Sequence, residues 1–357
     1  MPIDCTCCRP LAYGPSTTRR GFLSLAGAAA AAASLPAMAV AQTAPSAAPA
    51  KRIDVHHHVA PAKYMAAVEG NRIGSKPRPW SPEISLEEMD RNGIDTAIVS
   101  IVQPGVWFRD NADLSRSMAR DINELGAKMM QDHPGRFGLW AAIPLPNIDD
   151  SLREIEYAFD TLKADGIGLM SSFGPHYLGD KAFAPVYEEL NRRKAVVYVH
   201  PQTPDCCRAV DDDMDASSIE YATDTTRSIG SVVFSGTAAR YRDIRWIWSH
   251  SGGTMPFLLS RFEVQDKNTK DRSRIPDGAM AELKRFYYDT AQGNHKGALE
   301  ALLALAPMSQ VLFGTDFPLR GAREEVDALA AFGFSPADLA AIQRGNATRL
   351  VPRLARA

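Results

Sequence analysis

The chain has 357 residues, of which 45% are hydrophobic and 23% are charged. This is the composition of an ordinary soluble globular protein, and the length allows one large domain or two small ones. The formal net charge of -2 gives no electrostatic basis for binding nucleic acid or an anionic membrane surface.

Residues 1–41 predict a signal peptide for export by the twin-arginine route. Arg19 and Arg20 precede an apolar, alanine-rich stretch over residues 22–35, and Ala39-Val-Ala41 places small residues where a signal peptidase reads them. The apolar stretch is too short and too rich in alanine to span a bilayer well. We therefore predict a periplasmic protein that does not associate with the membrane after cleavage, with residues 42–51 as a disordered linker.

From Arg52 onward, eight short runs of apolar or β-branched residues alternate with helical patterns. Each run has the length and composition of a strand that is buried on both faces. The predicted strands are residues 53–55, 96–101, 136–141, 166–170, 195–199, 244–248, 286–288 and 310–313. Apolar residues at helical spacing fall within residues 86–91, 110–130 and 151–162, the last with Asp149 or Asp150 as its N-cap.

Eight strand–helix units predict a single (β/α)8 TIM barrel over residues 52–357. A doubly wound open sheet is the alternative α/β fold. That fold usually carries a glycine-rich phosphate loop after an early strand, whereas the first predicted strand here ends in histidines.

His56, His57 and His58 directly follow the first predicted strand. Residues two apart in an extended segment face the same side, so His56 and His58 can enter one site while His57 points away. Neutral imidazole is a good ligand for zinc and similar ions. A histidine pair alone is a weak signal, because polar residues at a strand end often have only a structural role.

Polar residues also follow three other predicted strands. His200 follows the fifth strand, His250 the sixth and Asp316 the eighth. The active sites of TIM barrels are built at the carboxyl ends of the strands, and scattered core histidines would not all fall there. The pattern therefore predicts that these side chains converge on one metal-containing active site.

Five motifs follow one another along the chain: Asp54-Val-His56-His-His58, Val199-His200-Pro, Ser249-His250-Ser-Gly-Gly, Tyr288-Asp289-Thr-Ala and Gly314-Thr-Asp316-Phe-Pro. In content and order they resemble the amidohydrolase-related family of metal-dependent decarboxylases, which includes aminocarboxymuconate-semialdehyde decarboxylase. The resemblance extends from Arg52 to about Leu350 and implies a barrel of the metal-dependent hydrolase type. It also implies that His56, His58, His200 and Asp316 bind the metal, with His250 as an acid/base residue beside it.

A narrower resemblance, to 6-methylsalicylate decarboxylases, rests on residues 80–90, Pro144-Leu-Pro-Asn147 and Tyr177-Leu-Gly-Asp180. It implies metal-dependent, non-oxidative decarboxylation of a hydroxylated aromatic or related unsaturated carboxylic acid. The expected catalytic residues are His250 and Asp316. The expected cofactor is one divalent ion, Zn²⁺ first and Mn²⁺ as the alternative, with no organic cofactor.

The end of the fourth predicted strand favours one ion over two. Two-metal amidohydrolases place a carboxylated lysine there to bridge their ions. Met170-Ser171-Ser172 occupies that position in this chain, and none of these side chains can bridge two metals.

Three residues are predicted to contact the substrate. Arg261 lies eleven residues after His250 in a helical stretch. In the muconate-semialdehyde enzymes an arginine at that spacing enters the neighbouring subunit's site and binds a substrate carboxylate, which here would require a homodimer. A surface arginine in a local salt bridge is the alternative. Trp107 and Phe108 follow the second strand and are predicted to line the pocket.

Weaker candidates for the same pocket are Tyr221 and Asp224. Asp289, after the seventh predicted strand, is expected either to orient the His250 side of the site or to cap a helix.

Two alternatives to a decarboxylase stay open. A hydrolase on the same scaffold would cleave a lactone, an amide or a C–C bond with the same residues. An exported metal- or ligand-binding protein without turnover would have no use for His250 beside four ligands, so loss of turnover in His250→Ala distinguishes an enzyme from such a protein.

Overall fold

The computed structural model describes residues 51–69, 79–204 and 214–356. The predicted signal peptide lies outside these residues, as does the predicted linker up to residue 50. By its contacts the chain divides into two units, Met1–Ala47 and Ala48–Ala357, and every described residue belongs to the second. Within the described part of the chain, no helix is both long enough and apolar enough to cross a bilayer.

Eight parallel strands form one sheet, in the order in which they occur along the chain. They are β1 Arg52–Val59, β2 Ile94–Ile101, β3 Phe137–Ala142, β4 Gly166–Met170, β5 Val196–His200, β6 Arg245–Trp248, β7 Tyr287–Asp289 and β8 Val311–Leu312. The amide of Val55 in β1 donates to the carbonyl of Phe313 at 3.0 Å, and the amide of His58 donates to the carbonyl of Phe317 at 2.7 Å. These bonds join β1 to the segment after β8 and close the barrel, which confirms the predicted (β/α)8 fold.

Helices connect successive strands and pack against them. They are α1 Ala62–Ala67, α2 Pro82–Arg91, α3 Ala112–Asp132, α4 Ile148–Glu156, α5 Ala184–Arg192, α6 Glu220–Phe234, α7 Thr237–Arg240, α8 Leu259–Asn268, α9 Ala279–Arg285, α10 Lys296–Leu305, α11 Ala322–Phe332, α12 Pro336–Ala340 and α13 Asn346–Leu350. A short antiparallel pair, Ser172–Phe173 with His176–Tyr177, follows β4.

The predicted strands all occur, with ends that differ by a few residues. The largest difference is in β1, which continues through the three histidines to Val59 because His57, His58 and Val59 pair with Val99, Ser100 and Ile101 of β2. The predicted N-cap of α4 was wrong. The side chain of Asn147 accepts a hydrogen bond from the amide of Asp150 at 3.1 Å, so the helix begins at Ile148.

The interior of the barrel is filled below the mouth by inward-facing apolar and aromatic side chains from the strands. Trp140 stacks on Tyr198 with 6.2 Å between ring centroids, and its indole N–H donates to the carbonyl of Val55 at 2.9 Å. The Tyr198 ring in turn contacts the His56 ring edge-on at 5.4 Å. This packed floor fixes the position of His56 at the barrel mouth.

Candidate metal centre

Four buried side chains from three parts of the barrel meet at the carboxyl ends of the strands. His56 and His58 come from β1, His200 is the last residue of β5, and Asp316 follows β8. One potential ligand atom from each residue lies within 4.8 Å of all the others. Among the described residues, these three histidines and one aspartate form a group of side chains that could hold a metal ion.

The separations between these atoms are short. His56 Nε2 lies 3.0 Å from Asp316 Oδ1 and 3.1 Å from His58 Nε2. His58 Nε2 is 3.1 Å from the same carboxylate oxygen, and His200 Nε2 is 3.9 Å from it. Two atoms bound at about 2.0–2.1 Å to one tetrahedral ion stand about 3.3 Å apart, so the spacings suit ligands of a single ion.

The second ring nitrogen of each histidine contacts another polar group. His56 Nδ1 lies 2.9 Å from Asp289 Oδ2, and His200 Nδ1 lies 2.7 Å from the carbonyl oxygen of Pro201. A carboxylate and a carbonyl only accept hydrogen bonds, so both Nδ1 atoms donate, and in the neutral rings both Nε2 atoms carry a lone pair. Such outer contacts fix the tautomer and ring orientation of metal-binding histidines.

The residues present fit a divalent cation. In their neutral form the His56 and His200 rings turn an Nε2 lone pair toward the Asp316 carboxylate, and the buried His200 Nε2 has no hydrogen-bond partner among the described residues. Burial lowers the pKa of His56, but the charges of Asp289 and Asp316 outweigh it and raise the pKa to about 10, so without an ion a proton occupies Nε2, where the ion would bind. The site therefore attracts positive charge, and three imidazoles with one carboxylate suit zinc and similar ions.

The second oxygen of Asp316 faces different partners. His250 Nε2 lies 3.4 Å from Oδ2, and the side-chain amide of Gln292 donates a hydrogen bond to the same oxygen. Burial alone would raise the pKa of Asp316, but the charge of His56 and the nearby His200 and His250 side chains hold it well below its usual range. The carboxylate is therefore anionic, with one oxygen toward the three imidazoles and the other toward His250 and Gln292.

The backbone around this carboxylate adopts an uncommon conformation. His250, Ser251, Gln292 and Asp316 have φ angles of 50°, 56°, 52° and 64°. Non-glycine residues seldom occupy this left-handed region, and a cluster of them is typical of functional sites where the surrounding fold sustains the strain. The conformation brings the His250, Gln292 and Asp316 side chains together from three separate loops.

His57 lies on the other side of β1, as the alternation of the strand predicts. Its Nδ1 is 3.0 Å from Asp54 Oδ2 and its Nε2 is 2.9 Å from the Ser85 hydroxyl. Asp54 also accepts hydrogen bonds from the amide and hydroxyl of Thr315. His57 and Asp54 therefore tie β1 to the loop that carries Asp316 and take no part in the four-residue cluster.

Asp289 contacts both the His56 ring and the backbone of His250. Its Oδ2 atom contacts His56, and its Oδ1 atom accepts hydrogen bonds from the amides of His250 at 2.9 Å and Ala291 at 3.1 Å. The predicted role in orienting the His250 side agrees with this geometry, whereas the contact with His56 Nδ1 was not foreseen.

Two cavities open beside the centre. The first, of about 430 Å³, is lined by Trp107 and Phe108, as predicted, and by Gln103. The second, of about 540 Å³, is lined by His250 and Gln292. Tyr221 lines both cavities, and its ring lies 6.4 Å from the His200 ring between centroids.

Arg261 lies apart from this site. It is on α8 with an exposed side chain, and it lines neither cavity within the described part of the chain. The structure of one chain therefore places it away from the cluster, a position that fits both sequence alternatives, a residue that serves a neighbouring subunit and a surface arginine.

Ser171 occupies the position after β4 where a bridging lysine would be needed for two ions. Its hydroxyl donates a hydrogen bond to Asp224, which also accepts from Ser172 at 3.2 Å and from the Tyr177 hydroxyl at 2.8 Å. Asp224 is thus fully engaged behind the wall of the first cavity and is not a pocket residue, contrary to the weaker prediction.

Sequence reasoning missed Gln103 and Gln292. Both are uncharged residues in loops, and neither stands in a motif with a recognisable metal or acid/base spacing. Their place after β2 and β7, at the barrel mouth, is the one signal that the sequence offers for them.

Comparisons with known proteins cover nearly the whole barrel. The amidohydrolase family model matches residues 53–353. Decarboxylase macB of Penicillium terrestre is 35% identical over 321 residues, which cover 85% of this chain and 95% of that protein. The 6-methylsalicylic acid decarboxylase acuB of Aspergillus aculeatus is 34% identical over 328 residues, covering 86% of this chain and 97% of that protein.

The fold also matches a solved structure, that of dihydroxybenzoic acid decarboxylase from Polaromonas sp. with bound manganese and the inhibitor 2-nitroresorcinol. The TM-score is 0.76 at 22% identity, covering 86% of this chain and 98% of the other.

Proposed function

This chain belongs to the amidohydrolase family, and on that premise we propose that it is a metal-dependent, non-oxidative decarboxylase of hydroxylated aromatic carboxylic acids. The observation that carries the proposal is the contact of one buried carboxylate, Asp316, with three imidazoles on one side and with His250 on the other. The decarboxylase names of the two relatives at 34% and 35% identity support the choice of reaction.

We propose that His56, His58, His200 and Asp316 hold one divalent ion. When bound, the ion supplies a Lewis acid that draws electron density from the substrate oxygens. Zinc is the proposed metal because of the imidazole-rich donor set. Manganese is the alternative, since a structural neighbour contains it.

The reaction requires one proton. The bond between the ring carbon and the carboxylate breaks to release CO2, and its electron pair forms a new C–H bond at that carbon. We propose that this proton reaches the ring carbon from the pair formed by His250 Nε2 and Asp316 Oδ2, which lie 3.4 Å apart. His250 lines the second cavity, so its partly exposed ring can regain a proton from water after each turnover. Gln292 keeps Oδ2 aimed at His250 by its hydrogen bond.

The test is CO2 release from 6-methylsalicylate and 2,6-dihydroxybenzoate by the purified mature protein, before and after removal of metal by a chelator. Release that stops on chelation and returns with added Zn²⁺ or Mn²⁺ supports the proposal. Acid release from lactones without CO2 release from either aromatic acid would replace it with the hydrolase alternative.

His250→Ala distinguishes an enzyme from a binding protein. Its metal content should equal that of the wild type, because His250 is not one of the four clustered ligands, while turnover should fall by a factor of about 10²–10⁴, typical of a lost acid/base group. Equal turnover in the variant and the wild type would remove His250 from the mechanism.

We further propose export to the periplasm by the twin-arginine route. The support is the Arg19-Arg20 pair, the apolar stretch after it and the small residues up to Ala41. Fractionation of expressing cells with Edman sequencing of the periplasmic form should give Gln42 as the new first residue. Arg19→Lys with Arg20→Lys should keep the precursor inside the cell, and unchanged export of that variant would exclude this route.

We also propose that the protein is a homodimer, with α8 at the interface and Arg261 serving the partner's site. Arg261 and Val264 are spaced to share one face of α8, Phe257 lies in the 3-10 turn just before that helix, and Phe257 and Val264 are 85% and 56% exposed. Phe257 also lines the cavity that contains His250, so a second copy seated on this face would border the active site. Light scattering should give twice the chain mass for the wild type and the single mass for Phe257→Ser. A monomeric wild type would refute the dimer.

A further inference from the structure

The first cavity lies directly beside the metal centre. Its lining includes Gln202, two residues after His200, and Tyr221, whose ring contacts that of His200 at 6.4 Å. Trp107 and Phe108 form aromatic walls. At about 430 Å³ the cavity is within the size range of small-molecule sites, and its aromatic walls suit a single-ring acid that reaches the metal centre with its carboxylate.

Gln103 presents an unusual group to this cavity. It is only 2% exposed, yet neither its amide oxygen nor its amide nitrogen has a hydrogen-bond partner among the described residues. The hydroxyl of Tyr221, which is 6% exposed, likewise has no partner with good hydrogen-bond geometry among the described residues, although Gln103 and Thr203 lie near it. Buried polar groups are nearly always hydrogen-bonded in folded proteins, so unpaired ones that line a cavity point to a ligand.

Gln202 provides a contrast within the same cavity. Its side-chain amide donates hydrogen bonds to the carbonyl and hydroxyl oxygens of Ser172. The fold therefore satisfies one glutamine amide in this wall and leaves the other unpaired, which makes Gln103 available to a bound molecule.

The two unpaired groups sit close together and are neutral. Burial raises the pKa of Tyr221 to about 12, although nearby Gln103 and Thr203 lower it somewhat. Tyr221 therefore keeps its proton and remains a donor as well as an acceptor. Together with the Gln103 amide, the pair offers both donors and acceptors and no charge.

These chemical properties select among ligand groups. A carboxylate accepts hydrogen bonds but donates none, so it would leave the amide oxygen of Gln103 buried and unpaired. A methyl group would leave all three polar atoms unpaired. A hydroxyl group accepts from one partner and donates to the other, and this holds whichever way the amide of Gln103 is turned.

We propose that Gln103 and Tyr221 form a hydroxyl-recognition pair that selects aromatic acids with a ring hydroxyl besides the one next to the carboxylate. This inference rests on the proposed function and deepens it, because it assigns a substrate class to the first cavity. Leaving a buried donor or acceptor unpaired lowers binding by about 10-fold to 100-fold, so the preference should be of that size.

The experiment compares the metal-loaded wild type with Gln103→Met, which keeps the length of the side chain and removes its amide. The substrates are salicylate, its four ring-hydroxylated forms (2,3-, 2,4-, 2,5- and 2,6-dihydroxybenzoate) and 6-methylsalicylate. For CO2 release, the wild type should show a kcat/KM about 10- to 100-fold higher for one dihydroxybenzoate than for salicylate. The ratio should approach one in Gln103→Met, mainly through KM.

Tyr221→Phe is the second variant and loses a single oxygen, so it tests the pair even if Gln103→Met does not fold. The matched control is Gln310→Met. In the wild type the Gln310 amide donates to the carbonyl of Arg285 at 3.1 Å, and Gln310 is not among the described residues that line either cavity. This control should leave the ratio unchanged.

Two failures can be told apart. If none of the acids loses CO2, the proposed function fails. The ratio of the Kd of salicylate to that of each dihydroxybenzoate, measured by titration calorimetry for the wild type and the variants, then still tests the hydroxyl-recognition pair. If CO2 is released but Gln103→Met and Tyr221→Phe change the kcat/KM of every acid by the same factor, the pair does not read a hydroxyl group and the inference is overturned.

Discussion

Replacing Asp289 with asparagine should weaken metal binding by reversing one hydrogen bond. Asp289 Oδ1 accepts from two backbone amides, at 2.9 and 3.1 Å, and Oδ2 faces His56 Nδ1 at 2.9 Å. The carbonyl oxygen of an asparagine would stay with the two amides, so its NH2 group would face His56. The ring proton would then move from Nδ1 to Nε2 and occupy the lone pair that points at the cluster.

The size of the effect follows from the same contact. Loss of an outer partner of a metal-binding histidine costs about 10- to 100-fold in affinity, or about 1.4–2.7 kcal/mol. We expect the upper part of this range, because both His56 and Asp289 are fully buried and the bond to the carboxylate is charge-assisted.

A competition titration of Zn²⁺ against a chromophoric chelator measures the affinity of Asp289→Asn. The matched control is Asp224→Asn. Asp224 is equally buried and accepts hydrogen bonds from the hydroxyls of Ser171, Ser172 and Tyr177, so the zinc affinity of Asp224→Asn should stay within about twofold of the wild type. An Asp289→Asn variant that binds zinc as tightly as the wild type would refute the reasoning, and equal losses in both variants would indicate general damage instead.

Burial raises the pKa of Glu325 to about 8, so the folded chain keeps a proton there that the unfolded chain loses above its ordinary value of 4.5. The free energy of unfolding of the wild type should therefore fall as the pH rises from 4.5 to 8. In urea unfolding, Glu325→Gln should be more stable than the wild type by an amount that grows by up to about 1.4 kcal/mol per pH unit over this range. A stability gain that is independent of pH would contradict this. At Gly314 an added Cβ would lie 2.8 Å from His56 Cβ and 3.0 Å from Asp289 Cβ. Gly314→Ala should therefore lose about 1–3 kcal/mol of stability and bind zinc more weakly. A calorimetric melting temperature equal to that of the wild type would disprove the close approach. Chelation should lower the melting temperature of the wild type, since an ion at 100 times its Kd stabilises the fold by about 2.7 kcal/mol, whereas His200→Ala should melt at the same temperature with or without the chelator.

The barrel could be predicted because its strands are buried on both faces and therefore stand out as apolar runs between amphipathic helices. The four-residue cluster could be predicted because its members lie at the carboxyl ends of three different strands, and these ends meet at one mouth of the barrel. The alternation of β1 was enough to separate His56 and His58 from His57.

Other features depend on tertiary contacts that leave no local pattern. The start of α4 was placed too late because Asn147, Asp149 and Asp150 are all good N-caps, and only the backbone geometry selects Asn147. Gln103 and Gln292 are ordinary loop glutamines in the sequence. Their importance arises from burial without a partner and from contact with Asp316, both of which require the folded chain.

The most direct test of the metal centre is the number of divalent ions per chain, measured by mass spectrometry of the purified protein and of two neighbouring histidine variants. The wild type and His57→Gln should each contain about one ion, because His57 faces Asp54 and Ser85. His58→Gln should contain far less than one, since its ring lies within the cluster. Equal metal content in the two variants, or two ions in the wild type, would contradict the assignment.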